Sequence, residues 1–421
     1  LRSILSIIVI LLTFLSFGQT KPELPGDFKE KAFAHVKDLA GFGIRNAGTE
    51  SENQTIKYLF DFYKNPGLKP QIDTFNFDYF SADDISVFVN GEKIIYKTIY
   101  IDPYKNPKGI NGQSFYFNPN RQSAKQKADS IRNNIVFTTE SAEIYRLARQ
   151  GPKAIIIVND KELRSRNGKQ TEIRIKGQVE KKQSYTVSCS LGPRKGKEIL
   201  LGAHWDSFCG PGADDNASGV SVIMELSRFF MNYKDSMPYS IKVIFFGCEE
   251  LGLLGSKAYT DKHIRDTAST MFYFNLDCVG DTGATIADVI TGLKGKCLVA
   301  RGGPLKAARD FKNTWSLLDP GNDDLLYESE IPAWLDTALV ETLNSARHNF
   351  RKVRYCGSDH DSFANKGFIT LHLGFDGNNE QHCPADNLQQ VNKNSLELAG
   401  KIAAGVILNA MKHKLKKTVT L

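Results

Sequence analysis

The sequence predicts an α/β fold: a mixed, mostly parallel central sheet with helices on both faces, carrying a small inserted α+β subdomain. Three observations lead there. From residue 199 onward, short apolar runs recur: Ile199–Ala203, Ile241–Gly247, Met271–Leu276 and Ile369–Leu373. Strands buried on both faces read in this way, because neither row of side chains meets water. Between the first two runs lies Ala217–Asn232, apolar on nearly all sides as a buried helix would be. Residues 80–165 break this rhythm with short alternating strands and turns rich in Gly, Asn and Pro.

Taken from the start, Arg2 precedes an apolar stretch, Ile4–Phe17, interrupted only by Ser6, Thr13 and Ser16. Ser16 and Gly18 put small residues at the two positions that a signal peptidase reads. Residues 1–18 therefore read as a cleaved secretory signal, with Gln19 first in the mature chain and export to the periplasm or medium expected. The stretch is short for a spanning helix and no second run of membrane length follows, so no stable membrane insertion is expected after cleavage. Residues 27–66 read as two helices around a turn, from the helical spacing of Ala32, Val36, Leu39 and Ala40, then of Ile56, Leu59 and Phe60. Within 80–165, strands are expected at Ile85–Val89 and Lys93–Tyr100. A strand–helix–strand comes next, at Asn134–Phe137, Ser141–Arg149 and Ala154–Val158. This segment is taken as the insert, and 20–79 with 166–421 as the main domain. A helix over Ser395–Lys412 closes the fold.

The chain of 421 residues is 41% hydrophobic, enough for a sizeable core. Its 54 basic and 47 acidic residues give a net charge of +7, with basic residues scattered except for Lys412, Lys414, Lys416 and Lys417. That short run reads as a solvated helix end. No basic face with interleaved aromatics is present, so nucleic-acid binding is not expected. Seven cysteines, none in CxxC spacing, are an odd number, so at least one is unpaired; they read as core residues with at most a bridge among them.

The chemistry lies in the residues just past each strand. His204 and Asp206 come after the first apolar run, and Asp214-Asp215-Asn216 stand between it and its helix. Glu249 and Glu250 come after the second run, Asp277 after the third, and a Gly/Asn-rich loop beyond the fourth delivers His382. Open α/β sheets bind ligands outside the carboxyl ends of their strands. Carboxylates gathered there need a counter-charge, since unpaired buried charge is costly. A pair of divalent metals supplies it. Imidazole with carboxylate and no thiolate set fits zinc best. Two ions about 3.5–4 Å apart, bridged by a carboxylate, are the usual arrangement for such hydrolysis. A carboxylate that is not a ligand must then move the proton of the attacking water. Each residue alone has a plainer explanation: Asp215 and Asn216 as helix caps, His204 as a core histidine, Glu249-Glu250 as surface charge. Their shared placement at strand ends is what makes the plainer explanations fail together.

The strings GAHWDS, GPGADDNASGV, FFGCEELGLLGSKAY, NLDCVGD, GSDHDSF and EQHCPADN, in this order, resemble the M28 family of zinc aminopeptidases. The likeness runs from about 185 to 410 and includes HVKDLAGFGIRNAG near the start. It implies that one zinc is held by His204, Asp215 and Asp277, and the other by Asp215, Glu250 and His382. It implies further that Glu249 is the general base and that Asp206 orients His204, with Asp359 supporting His382 in the same way. Peptides or small proteins are the implied substrates. The chain departs from the usual pattern with Cys383 after His382, and with Cys248 and Cys278 flanking Glu249 and Asp277. Residues 80–165 loosely resemble a shortened protease-associated insert. Two other functions stand beside an exopeptidase. A glutaminyl cyclase of the same fold would hold one zinc, and a binding protein would carry a dead site.

Overall fold

In the computed structural model the described residues are 23–419 without 102–107, 119–120, 122, 140–146, 148–149, 160–166, 193–195, 209, 282–286, 292–330, 347–349, 354–356, 376–380 and 383. The signal stretch 1–18, most of the helix expected at Ser141–Arg149, and Cys209, Cys297, Cys356 and Cys383 lie outside them.

Two helices, α1 (Phe28–Gly41) and α2 (Glu50–Lys64), open the fold as their periodicity predicts. Thr49 caps α2 by accepting from the Glu52 amide at 3.3 Å. The central strands are β8 (Glu198–His204), β9 (Ser240–Phe246), β10 (Thr270–Leu276) and β13 (Thr370–Phe375), parallel and in the order β13-β10-β8-β9. Antiparallel strands flank them: β11 (Ala287–Thr291) beside β13, with β12 (Phe350–Val353) beyond, and β7 (Gln170–Ser190) beside β9.

Period-2 geometry explains the continuous apolar runs. Ile199, Leu201 and Ala203, with Ile241, Val243, Phe245, Phe272 and Phe274, face the larger core, built with helices α1, α3 (Gly219–Met231), α5 (Ala333–Ala346) and α7 (Lys393–Val419). Leu200, Ile244, Phe246 and Tyr273 face the other way, onto Tyr259 of α4 (Leu254–Lys262) and Phe363 of α6 (His360–Ala364). Helices therefore cover both faces. Among the described residues, no helix is long and apolar enough to cross a membrane.

Residues 80–165 contribute β2 (Glu92–Ile94), β3 (Thr98–Tyr100), β4 (Gly109–Tyr116), β5 (Ile135–Thr138) and β6 (Ala154–Ile157). Where one strand was expected at Lys93–Tyr100 there are two, because β2 pairs with β1 (Gln71–Val89) and β3 with β6. Ile95 between them is 96% exposed. This segment has its own core, including Phe117, Ile131, Val136, Leu147 and Ile156. It is joined to the main sheet by a ribbon of β1 on β7, antiparallel from Gln71↔Ser188 to Val89↔Thr171. Position 79/80 thus lies inside a strand.

Candidate metal centre

His204 is the last residue of β8, and the loop beyond it turns back before α3. The helix expected from Ala217 begins at Gly219, because Ala213–Ser218 are wound irregularly to aim Asp214 and Asp215. Asn216 fixes this turn from both sides: its Nδ2 donates to the Leu276 carbonyl and its Oδ1 accepts from the Gly219 amide, both at 2.9 Å. The two aspartates face opposite ways. Asp214 Oδ1 accepts the Gly280 amide at 2.7 Å, whereas Asp215 reaches both imidazoles.

His204 Nε2 lies 3.1 Å from Asp215 Oδ1 and 3.2 Å from Asp277 Oδ1. His382 Nε2 lies 2.8 Å from Asp215 Oδ2 and 3.2 Å from Glu250 Oε2. The structure thus brings together two groups, His204–Asp215–Asp277 and Asp215–Glu250–His382, each with ligand atoms within 4.8 Å of one another. They share Asp215, one carboxylate oxygen turned to each. Glu249 forms a third such group with His204 and Glu250. Glu250 Oε1 is buried without a hydrogen-bond partner, as an oxygen meant for a cation would be. The donor set, imidazole plus carboxylate at ligand spacing, fits zinc.

The electrostatics agree. Burial, with Asp215 and then Glu249 as like charges, pushes Glu250 well above the usual carboxylate range. Burial raises Glu249 and Asp215 in the same direction. Burial would also raise Asp277, but the facing His204 charge outweighs it and holds that carboxyl below its ordinary value. Burial lowers His382 to about 4, which leaves its imidazole neutral and able to donate a lone pair. Burial pushes the Cys248 and Cys278 thiols well up, and neighbouring carboxylates act in the same direction.

Asp206 does more than the sequence suggests. Its carboxylate lies 3.5 Å from His204 Nδ1, and it also accepts the Glu249 amide at 3.1 Å and the Glu250 amide at 3.2 Å. One side chain therefore orients the histidine of one strand end and the glutamates of the next. Asp359 is a correction. Its buried carboxylate is turned to Ser256 and not to His382. It faces Ser256 and the charges of His204, Asp206 and Asp277, and burial raises it to about 7. Ser358 instead donates to Asp277 Oδ2 at 2.5 Å.

Two further side chains, not expected from the sequence, hold the main chain around Asp215. Asp386 Oδ1 accepts the Asp214 amide at 2.9 Å and its Oδ2 the Asp215 amide at 3.0 Å. Arg45, fully buried, donates to the Trp205 and Gly212 carbonyls. Both lie inside strings that carry the family likeness, CPADN and GIRNAG, yet neither stands at a strand end, where the polar residues are conspicuous.

A mostly parallel α/β sheet with a histidine–carboxylate cluster drawn from three adjacent strand ends, the turn before α3 and the segment bearing His382 is the arrangement of a zinc metalloexopeptidase. The family model "Peptidase family M28" matches residues 186–407. The chain belongs to peptidase family M28. It is similar to aminopeptidase YwaD of Bacillus subtilis (strain 168), 26% identical with 96% of this chain and 90% of that one covered. Among solved structures it resembles an aminopeptidase from Aneurinibacillus sp. strain AM-1, at a TM-score of 0.60 and 19% identity over 91% of this chain and 93% of that one. It also resembles BSAP, a zinc aminopeptidase from Bacillus subtilis, at 0.61 and 17% over 91% and 95%.

Proposed function

We propose that this chain is an exported co-catalytic di-zinc aminopeptidase, in which Glu249 is the general base. The observation that carries the reading is the pair of ligand groups sharing Asp215, with Glu249 beside both His204 and Glu250. His204, Asp215 and Asp277 would hold one zinc, and Asp215, Glu250 and His382 the other. Bound there, the ions would acidify water and polarise the scissile carbonyl. Glu249 would take the proton of the attacking water and deliver it to the leaving amine. Asp206, through the amides of Glu249 and Glu250, keeps base and ligand in register. The apolar N-terminal stretch supports export.

Elemental analysis of the purified protein should give two zincs per chain, with hydrolysis of an aminoacyl anilide and no cyclisation of an N-terminal glutamine substrate. One zinc with cyclase activity would select the glutaminyl cyclase alternative. A chain with neither activity would be the binding protein.

The insert is assigned to substrate size. It contains none of the proposed ligands, yet Phe208, on the loop after β8, packs against its core and stands edge-on to His382, ring centroids 6.0 Å apart. A module resting on that loop would stand beside the site without touching the chemistry. Tyr79 pairs with Glu180 in the ribbon, so replacing 80–179 by an Asn-Gly turn closes a natural hairpin register. Anilide hydrolysis should stay within about threefold, while the ratio of activity on long peptides to dipeptides changes. A folded variant that binds two zincs with an unchanged length preference removes the insert from substrate selection.

A further inference from the structure

Arg45 lies on the turn between α1 and α2, far in sequence from the metal groups, and is fully buried. Among the described residues its guanidinium hydrogen bonds all end on main-chain carbonyls. Nε donates to Trp205 O at 2.6 Å, Nη2 to Gly212 O at 2.9 Å, and Nη1 to Pro211 O and, at 3.3 Å, to Leu39 O. Its own amide donates to Ser207 Oγ at 3.1 Å, and that hydroxyl donates to Gly210 O at 3.0 Å. Apart from Leu39 O on α1, the bonded carbonyls sit at the two ends of one loop. Trp205 directly follows His204, and Gly212 stands three residues before Asp215. A single planar fork thus sets the distance between the strand end bearing one proposed ligand and the turn bearing another.

The packing leaves no slack. A Cβ on Gly212 would stand 2.3 Å from Asp215 O, 2.4 Å from Ser207 Cβ and 3.1 Å from Arg45 Nη2, and its φ of +56° is one that L side chains rarely adopt. From the opposite side, Asp386 gathers the amides of Asp214 and Asp215. The loop is therefore held by a cation on its carbonyls and an anion on its amides. An isolated buried guanidinium is costly. Here the surrounding charges of Asp206, Asp386, Asp215 and Glu250 favour it.

We propose that Arg45 is a positioning residue of the metal centre, whose guanidinium closes the loop from Trp205 to Gly212 and so sets Asp215 opposite His204. The inference rests on the reading that these two residues share an ion. A helix-packing role alone would affect folding but not the metal once the chain is folded.

The test measures zinc affinity of purified Arg45→Met and Arg45→Lys by competition with a chromophoric chelator. It adds the thermal midpoint in EDTA and the visible spectrum of the cobalt(II)-loaded proteins. Arg45→Met should bind zinc about 10–100-fold more weakly, the loss typical of groups that orient ligands. Arg45→Lys keeps the charge but offers three donors on a point cation, so it should recover part of that affinity with an altered cobalt spectrum. Wild-type affinity and spectrum in either folded variant would overturn the proposal. So would a lysine variant that does not fold, since Arg45 would then serve the fold rather than the metal. Wild-type protein is titrated in parallel. Fewer than two zincs there would count against the di-zinc reading and leave the Arg45 comparison readable on the remaining ion.

Discussion

Glu249→Gln is expected to keep its zinc and lose its turnover. The substitution preserves side-chain shape, and Glu249 belongs to neither of the two groups that share Asp215. Its amide would still be seated by Asp206 Oδ1. What disappears is the group that can accept a proton. Removing a general base costs about 10²–10⁴-fold in rate. The loss should fall on kcat with KM nearly unchanged, because a proton acceptor acts in the transition state rather than in ground-state binding. Rates on an aminoacyl anilide, with zinc content measured on the same sample, check this. Near-normal turnover would move the base to another group, with Asp359, a buried carboxylate whose charge acts on Glu249, the first candidate. Loss of zinc would make Glu249 a ligand.

Much of this site could be read from the sequence, because its residues are attached to the strongest signal a sequence carries. Strands buried on both faces leave unbroken apolar runs, and the next polar residue marks a strand end. His204, Glu249, Glu250 and Asp277 are all found in that way. His382 is reached through a loop, and only its company identified it. Arg45 and Asp386 escaped because their work is done on the main chain. A guanidinium that binds carbonyls and a carboxylate that binds amides have no side-chain partner whose type could be matched. Asp359 was misassigned for a related reason: position in a motif gives proximity to the site, but not the direction in which a carboxylate points. In the fold, β7 was overlooked since residues 176–183 are largely polar and solvent-facing, where the strand exists only as half of the ribbon with β1. The face of the ribbon that packs is filled by Phe75, Phe77 and Tyr79 of β1, so the β7 half carries no apolar run of its own. The helices were read best where one stripe meets the core, as at Val36 and Leu39.

Asp215→Ala should be the more severe change, and its effect should appear in the metal before it appears in the rate. The carboxylate turns one oxygen to each histidine, 3.1 Å from His204 Nε2 and 2.8 Å from His382 Nε2. Without it each proposed ion keeps two protein ligands, His204 with Asp277 and Glu250 with His382, where catalytic zinc ordinarily takes three. Metal analysis after gel filtration should show well under two zincs per chain, and anilide hydrolysis should be lost. A collapsed protein would give the same two results, so stability separates them. Burial raises the Asp215 pKa in the folded chain. An acid with a higher pKa folded than unfolded binds more protons when folded, so its ionisation costs stability once the pH exceeds the ordinary carboxylate range. At neutral pH in EDTA, therefore, Asp215→Ala should melt at or above the wild-type temperature. Added zinc should raise the wild-type midpoint and leave the variant almost unmoved, since only a ligand that binds the native state shifts it. A variant carrying two zincs would place the bridge elsewhere. Asp214 is an unfavourable candidate, because its Oδ1 is already engaged with the Gly280 amide at 2.7 Å. A variant that melts well below wild type in EDTA would mean that Asp215 holds the loop together by itself, and that the clamp formed by Arg45 and Asp386 is insufficient without it.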